Sequence, residues 1–501
     1  MSDDRADFDN VAWDRNDEAF ETSQRFFRLV STLRKLESFV TRKFGRVASW
    51  VSPMRIGGYN NLYRMRLEGS NDDVMIRLPQ PNKSQFPYEK TLREAATANF
   101  IAQNTRIPVP RVLFYGSSSM DSELGPYTII PYVENRRSLS HALAMPNEDA
   151  TQAHMLDPDI SEEVLEDFYG KVAVYLLQLF KLSFPRIGSL AQTGENTFSV
   201  VGRPITQNMN SMLQLANIPH VTLPPKDRTY RTADEWYLAL AEMHIAQLVF
   251  QHNDLVATAD DCRNKYVARQ LFRRLAKQGR LSSFGFAEDD WSAQSKSQTS
   301  MLCPAPSSTT SFRLWCDDFR AGNILLDETD EIAAFIDWEF TYIAPTQFAL
   351  DPPWWLLLNA PEAWYSRIDD WTRTYSVRLE TWLRAMESVE KGNGVDGFTV
   401  SAYMRESWVT GRFWLNYAAR KSWAFDTIFW KYLDERFFGG RVGEIAEQDL
   451  WKTRIHMLTD RERSAMEPFV ERKMEESKER ILIDWNDGQV KERLDDILFD
   501  D

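Results

Sequence analysis

The first clear pattern in the chain is helical. Between Glu21 and Phe44 the apolar residues Phe26, Val30, Leu33, Leu36, Val40 and Phe44 recur at intervals of three and four, and Gly45 supplies a stop. Arg28, Arg34, Lys35, Arg42 and Lys43 occupy the other faces. A basic amphipathic helix can lie on a membrane; docking on the domain that follows is the commoner arrangement and is the expectation here. From Val51 to Tyr132 the pattern shortens to strand-like runs, "NLYRMRLEG", "DVMIRLP", "RVLFYG" and "YTIIPYV", with one helical stretch, "YEKTLREAATANFIAQN", among them. This predicts a small sheet carrying one helix.

From Ser161 onward the period is mostly helical. Leu165, Phe168, Val172, Leu176 and Leu179 share one face, and "TADEWYLALAEMHIAQLVF" and the Trp-rich "EAWYSRIDDWTRTYSVRLETWLRAM" continue the pattern. The polar, proline-containing segment Ser292–Ser311 interrupts it and reads as a mobile loop. The end, "KMEESKERILIDWNDGQVKERLDDILFDD", reads as a charge-laced helix or a loosely held tail. No internal repeat is present. The expected organisation is a helical extension over residues 1–50, a sheet lobe over 51–133, a helical lobe over 134–470 and a charged tail over 471–501.

Composition narrows the function. A chain of 501 residues that is 43% hydrophobic, with 17 Trp and 30 Phe, can bury a large core. Its formal charge of -14 would repel a polyanion on average, so wholesale nucleic-acid binding is not expected. Three cysteines, Cys262, Cys303 and Cys316, show no C-x-x-C spacing and give neither a disulfide framework nor a zinc site. No apolar run approaches ~18 residues, and the acidic start "MSDDRADFDN" disfavours a leader peptide. A soluble, cytoplasmic protein in a reducing compartment is the expectation.

The densest candidate chemistry is "RLWCDDFRAGNILLDETDEIAAFIDWEF", Arg313 to Phe340. "NILLD" and "IAAFID" flank "ETDE", the signature of a buried hairpin. A turn centred near Asp330 would set Asn323 opposite Asp337 at the open end, with backbones about 5 Å apart. An amide oxygen and a carboxylate so placed suit Mg²⁺, which takes one or two protein groups and leaves its other positions to phosphate and water. Five residues before the asparagine, Asp318 stands on the loop "CDDFRAG", where it could orient or deprotonate an attacking hydroxyl beside the metal. D-x-x-x-x-N alone is ordinary turn chemistry; its conjunction with a buried hairpin and a second aspartate is the signal. "QHNDLVATAD" offers His252-x-Asp254, yet position 259 is alanine and no hairpin follows, so it is rejected.

At these residues the sequence resembles the aminoglycoside phosphotransferase family of small-molecule kinases, related to choline kinases, over roughly Val51 to Leu358. The tract "DDFRAGNILLD…IDWEFTYIAPTQFALDPPWWLLL" is similar to members common in filamentous fungi. The resemblance implies an α+β, protein-kinase-like two-lobed fold, with a small antiparallel-sheet lobe that binds nucleotide and a large, mostly helical lobe carrying the catalytic loop and acceptor pocket. It implies ATP and Mg²⁺ as cofactors and a small-molecule acceptor as partner. Asp318 would be the catalytic aspartate, and Asn323 and Asp337 the metal ligands. "GGYNNLYRM" would lie over the phosphates through Gly57, Gly58, Tyr59 and Asn60; Arg77 would be the strand cation for the phosphates and Glu94 its partner, with Glu89 a competitor. Adenine would be held by the carbonyl of Pro131 and the N–H of Val133.

The local charge agrees. Val51 to Tyr115 carries nine Lys and Arg against five acids in a chain that is otherwise strongly acidic. Cys316 stands where the family usually has histidine, either as a buried apolar residue or as a reactive thiol. Asp317 is expected to be a loop or acceptor contact, and Asp351 to brace the catalytic loop or cap a helix. The leading reading is a phosphotransferase acting on an alcohol group; the other is a catalytically silent kinase fold that binds nucleotide or protein partners. The acceptor, the choice of ATP or GTP and the oligomeric state are left open.

Overall fold

The computed structural model describes residues 7–116, 124–146, 153–297, 301–364, 366–393 and 398–499. The N-terminal stretch forms two helices, α1 (Asn10–Phe27) and α2 (Val30–Phe44), where one was expected. The buried face of α1 includes Asn16 and Gln24, polar residues that an apolar period does not count. Its cap is Asp9, whose Oδ1 accepts from the N–H groups of Val11 and Ala12. Helix α2 ends where Gly45 adopts φ +65° and returns its N–H to Thr41 O at 2.8 Å.

The two helices dock on different lobes. Leu36, Phe39 and Val40 of α2 share a core with Tyr63, Met65 and Ile76 of the sheet. Helix α1 lies on the helical lobe, where Asp9 N–H donates to Leu215 O at 3.0 Å, and it reaches the sheet lobe through Gln24 Nε2 to Asn61 Oδ1, also 3.0 Å.

Strands β1 (Ala48–Ile56), β2 (Asn60–Leu67), β3 (Val74–Pro79), β4 (Phe114–Gly116) and β5 (Tyr127–Pro131) form an antiparallel sheet in the order β1-β2-β3-β5-β4. Helix α3 (Pro87–Asn104) sits between β3 and β4 in the chain. After β5 come β6 (Arg137–Ser138), α4 (Leu139–Leu143), α5 (Glu162–Lys181), a hairpin of β7 (Ser189–Gly194) and β8 (Thr197–Val201), then α6 (Gln207–Ala216), α7 (Ala233–Phe250) and α8 (Ala259–Lys277). The β7–β8 hairpin lies where only helices were expected. Ser161, Thr206, Thr232 and Thr258 cap α5 to α8, each accepting an N–H from the first turn.

The segment that begins at Arg313 supplies β9 (Arg313–Cys316), β10 (Ile324–Leu326), β11 (Ile332–Phe335) and β12 (Thr341–Ala344). Strand β9 pairs with β12, while β10 lies between β11 and β6. Helices α9 (Thr346–Ala349), α10 (Ile368–Asn393), α11 (Val400–Thr410) and α12 (Arg412–Arg420) follow, and Trp236, Trp355, Trp371 and Trp382 fill the core beneath them.

The expected mobile loop is corrected, and of the two readings of the C-terminal segment the helix holds, over Asp487–Asp495. The described part of Ser292–Ser311 is tied down, with Ala305 N–H on Glu288 Oε2 at 2.6 Å and the Tyr403 hydroxyl on Pro304 O at 2.9 Å. The C-terminal segment is also held. Trp485 packs edge-on against Phe250, and Gln270 Nε2 donates to Ile497 O at 3.1 Å. Tyr403 of α11, Phe250 of α7 and Gln270 of α8 reach these segments from distant helices, which no local pattern reports. Among the described residues no helix is long and apolar enough to cross a membrane.

Candidate active site

The β10–β11 hairpin is closed by Asp327 rather than Asp330. Its N–H reaches Glu331 O at 2.9 Å, and its Oδ1 accepts from the N–H groups of Thr329 and Glu331. The pairing therefore runs Ile324 to Phe335, and Ile336 N–H donates to Asn323 O at 2.9 Å. Asn323 faces Ile336, not Asp337 as the expected turn centre implied. Asp337, one residue further, has φ +65°, a left-handed conformation that is uncommon outside glycine and concentrates at functional sites. With this turn Asp318, Asn323 and Asp337 line one small cavity.

Within that cavity Asn323 Nδ2 donates to Asp318 O at 2.9 Å and to Asp318 Oδ2 at 3.2 Å. Both bonds use the amide nitrogen, so the side-chain oxygen is the group left for a cation. Asp318 Oδ1 accepts from Arg320 Nε at 3.0 Å. Burial pushes the Asp318 carboxyl above its ordinary range; Arg320 opposes this and the nearby Asp337 adds to it.

Arg77 of β3 is buried and forks between two carboxylates, Nη1 on Glu94 Oε1 and Nη2 on Asp337 Oδ1 at 2.6 Å. Burial alone would lower its pKa, and Glu94 and Asp337 more than reverse the effect. Glu89 is occupied elsewhere, accepting from Arg203 Nη2 at 3.2 Å. Asp337 is the most open of these groups, with a quarter of its side chain exposed and Oδ2 turned from the arginine contact. Two oxygen groups on one cavity, one of them a carboxylate, fit the protein share of a Mg²⁺ site.

The glycine turn is rigidly built. Gly57 N–H donates to Asn60 O at 2.8 Å, and Gln80 Nε2 donates to the carbonyls of Gly57 and Asn60. A Cβ on Gly57 would stand 3.3 Å from Asn60 O, whereas Gly58 borders open space. The side chains of Tyr59 and Asn60 point inward: the Tyr59 ring packs edge-on against Phe340 at 4.9 Å, and Asn60 Nδ2 donates to Glu339 Oε2 at 3.0 Å. The backbone of this turn, not those two side chains, is what a phosphate could meet. At the lobe junction Tyr132 N–H donates to Asp73 O at 2.9 Å and Val74 pairs with Pro131. Strand alternation therefore turns the Pro131 carbonyl away from β3.

A model of the APH phosphotransferase enzyme family matches residues 52–389, well over half of the chain. The chain belongs to this family. A fungal relative, altered inheritance of mitochondria protein 9 of Clavispora lusitaniae, is 26% identical over 144 residues, which is 28% of this chain and 22% of that protein. A subtelomeric hrmA-associated cluster protein of Aspergillus fumigatus is 24% identical over 143 residues, 28% of this chain and 25% of its own length. The matches thus span about a quarter of these relatives. Among solved structures, macrolide 2'-phosphotransferase type I is 13% identical, covering 83% of this chain and 99% of its own at a TM-score of 0.39. Plasmodium vivax ethanolamine kinase is 12% identical, covering 92% and 96%, also at 0.39.

Against the family's usual histidine, Cys316 is buried, and its thiol donates to Glu339 O at 3.6 Å. Burial raises its pKa well above the ordinary thiol value, which keeps it protonated. Asp317 makes the loop contacts that one of its two expected roles called for. Its Oδ1 accepts from Trp315 Nε1 at 2.8 Å and its Oδ2 from Gln207 N–H at 3.1 Å, tying the loop of Asp318 to the start of α6. Asp351 neither caps a helix nor touches the loop; it accepts from Ser407 Oγ at 2.5 Å and Asn416 Nδ2 at 2.9 Å, joining α11 to α12. Asp254 of the rejected "HND" segment receives both Nη atoms of Arg480.

Sequence reasoning missed three cations that surround this candidate site. Lys90 of α3 is buried and pairs with the buried Glu339. Arg320 holds Asp318, and Lys421 Nζ stands close enough to favour the ionised Asp318 while donating to Gln207 Oε1 at 2.9 Å. Arg320 lies inside the quoted motif and was legible as a cation two residues past the aspartate; Lys90 and Lys421 carry no sequence signal.

Proposed function

We propose that this chain is an ATP- and Mg²⁺-dependent kinase that moves the γ-phosphate to a hydroxyl of a small molecule, working in a reducing compartment such as the cytoplasm. The observation that carries the reading is the convergence of Asp318, Asn323 and Asp337 on one cavity, with Arg77 bonded to Asp337 from the opposite lobe. In such chemistry the protein chiefly positions the reactants and screens charge.

Asp318, held by Arg320 and Asn323, orients the acceptor O–H and takes its proton as the new P–O bond forms and the bond from the γ-phosphorus to the β-phosphate oxygen breaks, releasing ADP. The Asn323 side-chain oxygen and Asp337 would hold Mg²⁺, which when bound screens the β- and γ-phosphate charge. Arg77, its two Nη groups on Glu94 and Asp337, places a fixed positive charge beside the nucleotide phosphates. The backbone at Gly57 and Gly58 covers the phosphates, and the Pro131 carbonyl with the Val133 N–H receives the adenine edge.

The test is thermal stabilisation by ATP with and without Mg²⁺, followed by transfer of label from ATP across a pool of metabolites. Mg²⁺-dependent stabilisation together with a labelled acceptor is the expected result. Nucleotide binding with no transfer to any acceptor would overturn the kinase reading in favour of a silent nucleotide-binding fold.

A further inference from the structure

Away from the cavity at Asp318, an open pocket of about 540 Å³ is formed by α3, the β7–β8 hairpin and the segment 226–229. Three cations line it: Arg93, Arg186 and Lys226, with Asp227 the one acid. Among the described residues none of the three cations has a carboxylate within ion-pair distance. The Arg186 guanidinium donates to Thr229 Oγ1 at the long distance of 3.4 Å. Arg203, beside them, is already committed to Glu89 and to Pro224 O.

Arg93 is the telling member. It is half-buried, and its Nε is fully buried without a hydrogen-bond partner. Burial pushes its pKa below the usual guanidinium value, with Glu89 only partly opposing. A desolvated cation beside two others is costly unless an anion joins them. Gly202, at φ +70°, lets two of the cations come together: a Cβ there would stand 2.7 Å from Lys226 O and 3.3 Å from Arg93 Nη2. The local sequence is biased in the same way, with five Lys and Arg against two acids from Arg186 to Arg231 in a chain of net charge -14.

We propose that this pocket is a second ligand site, distinct from the nucleotide cleft, that takes a small polyanion carrying at least two phosphate groups. Two guanidinium groups supply planar forks for phosphate oxygens and Lys226 a mobile point charge. Glu94, which pairs with Arg77, follows Arg93 directly in α3, so the site adjoins the nucleotide lobe from behind.

The probe is inorganic pyrophosphate, titrated calorimetrically without Mg²⁺ into the full chain and into the Arg186→Ala/Lys226→Ala variant. Both substituted side chains are exposed, and unchanged melting temperatures without ligand verify the variant's fold. Binding anywhere else, the nucleotide cleft included, is common to both proteins and cancels. The expected result is a binding event that weakens about tenfold or more in the variant, weakens with added salt, and survives in Arg186→Lys/Lys226→Arg. Identical isotherms for wild type and the alanine variant, or no binding to the wild type at millimolar pyrophosphate, would overturn the site. Retention of single-stranded RNA or anionic vesicles in place of pyrophosphate, lost in the variant, would overturn the small-ligand assignment.

Discussion

Arg77 Nη2 stands 2.6 Å from Asp337 Oδ1 while Nη1 of the same guanidinium holds Glu94. One buried cation thus joins helix α3 of the sheet lobe to the end of the β10–β11 hairpin in the helical lobe. The planar guanidinium directs its two Nη groups at the two carboxylates in a fixed geometry, which a single ammonium does not reproduce. Arg77→Lys keeps the charge and loses the fork. The expected outcome is a lower melting temperature and at least about a tenfold fall in kcat/KM for ATP, read by thermal melts and steady-state kinetics.

Substitution at the cavity separates its two aspartates. Asp337→Ala removes the carboxylate proposed for the metal and should abolish measurable transfer. Asp318→Asn should lower kcat by about 10²-fold or more while leaving ATP affinity near the wild-type value, because the role proposed for Asp318 is toward the acceptor. Turnover like the wild type in Asp337→Ala would contradict the metal assignment.

Lys90 and Glu339 form the second buried bridge between α3 and the hairpin. Burial, with Asp337 adding, raises the Glu339 carboxyl to about 7, and Lys90 opposes the rise. Lys90→Met strands the carboxylate and the Asn60 contact in the interior, so a loss of about 3–5 kcal/mol in unfolding free energy is expected. Lys90→Met/Glu339→Leu removes both charges and should recover part of it. Urea unfolding of the two variants makes the comparison.

The part of the site legible in the sequence is the part that is local in the sequence. Asp318, Asn323 and Asp337 fall within one hairpin and its approach loop, so spacing and period were enough to bring them together. The register was missed by one residue because Asp327, not Asp330, organises the turn, and the left-handed Asp337 then restores the convergence. Lys90, Lys421 and the anchoring of the C-terminal segment depend on contacts between residues more than a hundred positions apart, which no periodicity encodes. Helix α1 escaped for a different reason, its buried face being built from polar residues as well as apolar ones.

Cys316 provides a chemical check on the loop. A buried thiol with its pKa raised is a poor nucleophile, since only the thiolate reacts. In the folded protein Cys316 is expected to resist iodoacetamide and to leave transfer activity unchanged after treatment. All three cysteines should label once the chain is unfolded. Peptide mapping by mass spectrometry reads both states, and rapid labelling of native Cys316 would show that the loop opens.

Asp351 links pH to stability with a definite sign. Burial raises its carboxyl from 3.8 to about 6, although Ser407 and Asn416 both favour the ionised form. Between those values the folded state binds more protons than the unfolded one, so stability is fully present below about pH 4 and is lost as pH rises through about 6. The shift corresponds to roughly 3 kcal/mol. In Asp351→Asn the side-chain oxygen can still accept from Asn416 and the new amide can donate to Ser407, so the neutral form is retained at every pH. The difference in unfolding free energy between variant and wild type should therefore grow from pH 4 to pH 6.5 in favour of the variant and then level off. A difference that stays constant across this range would mean that Asp351 does not titrate there.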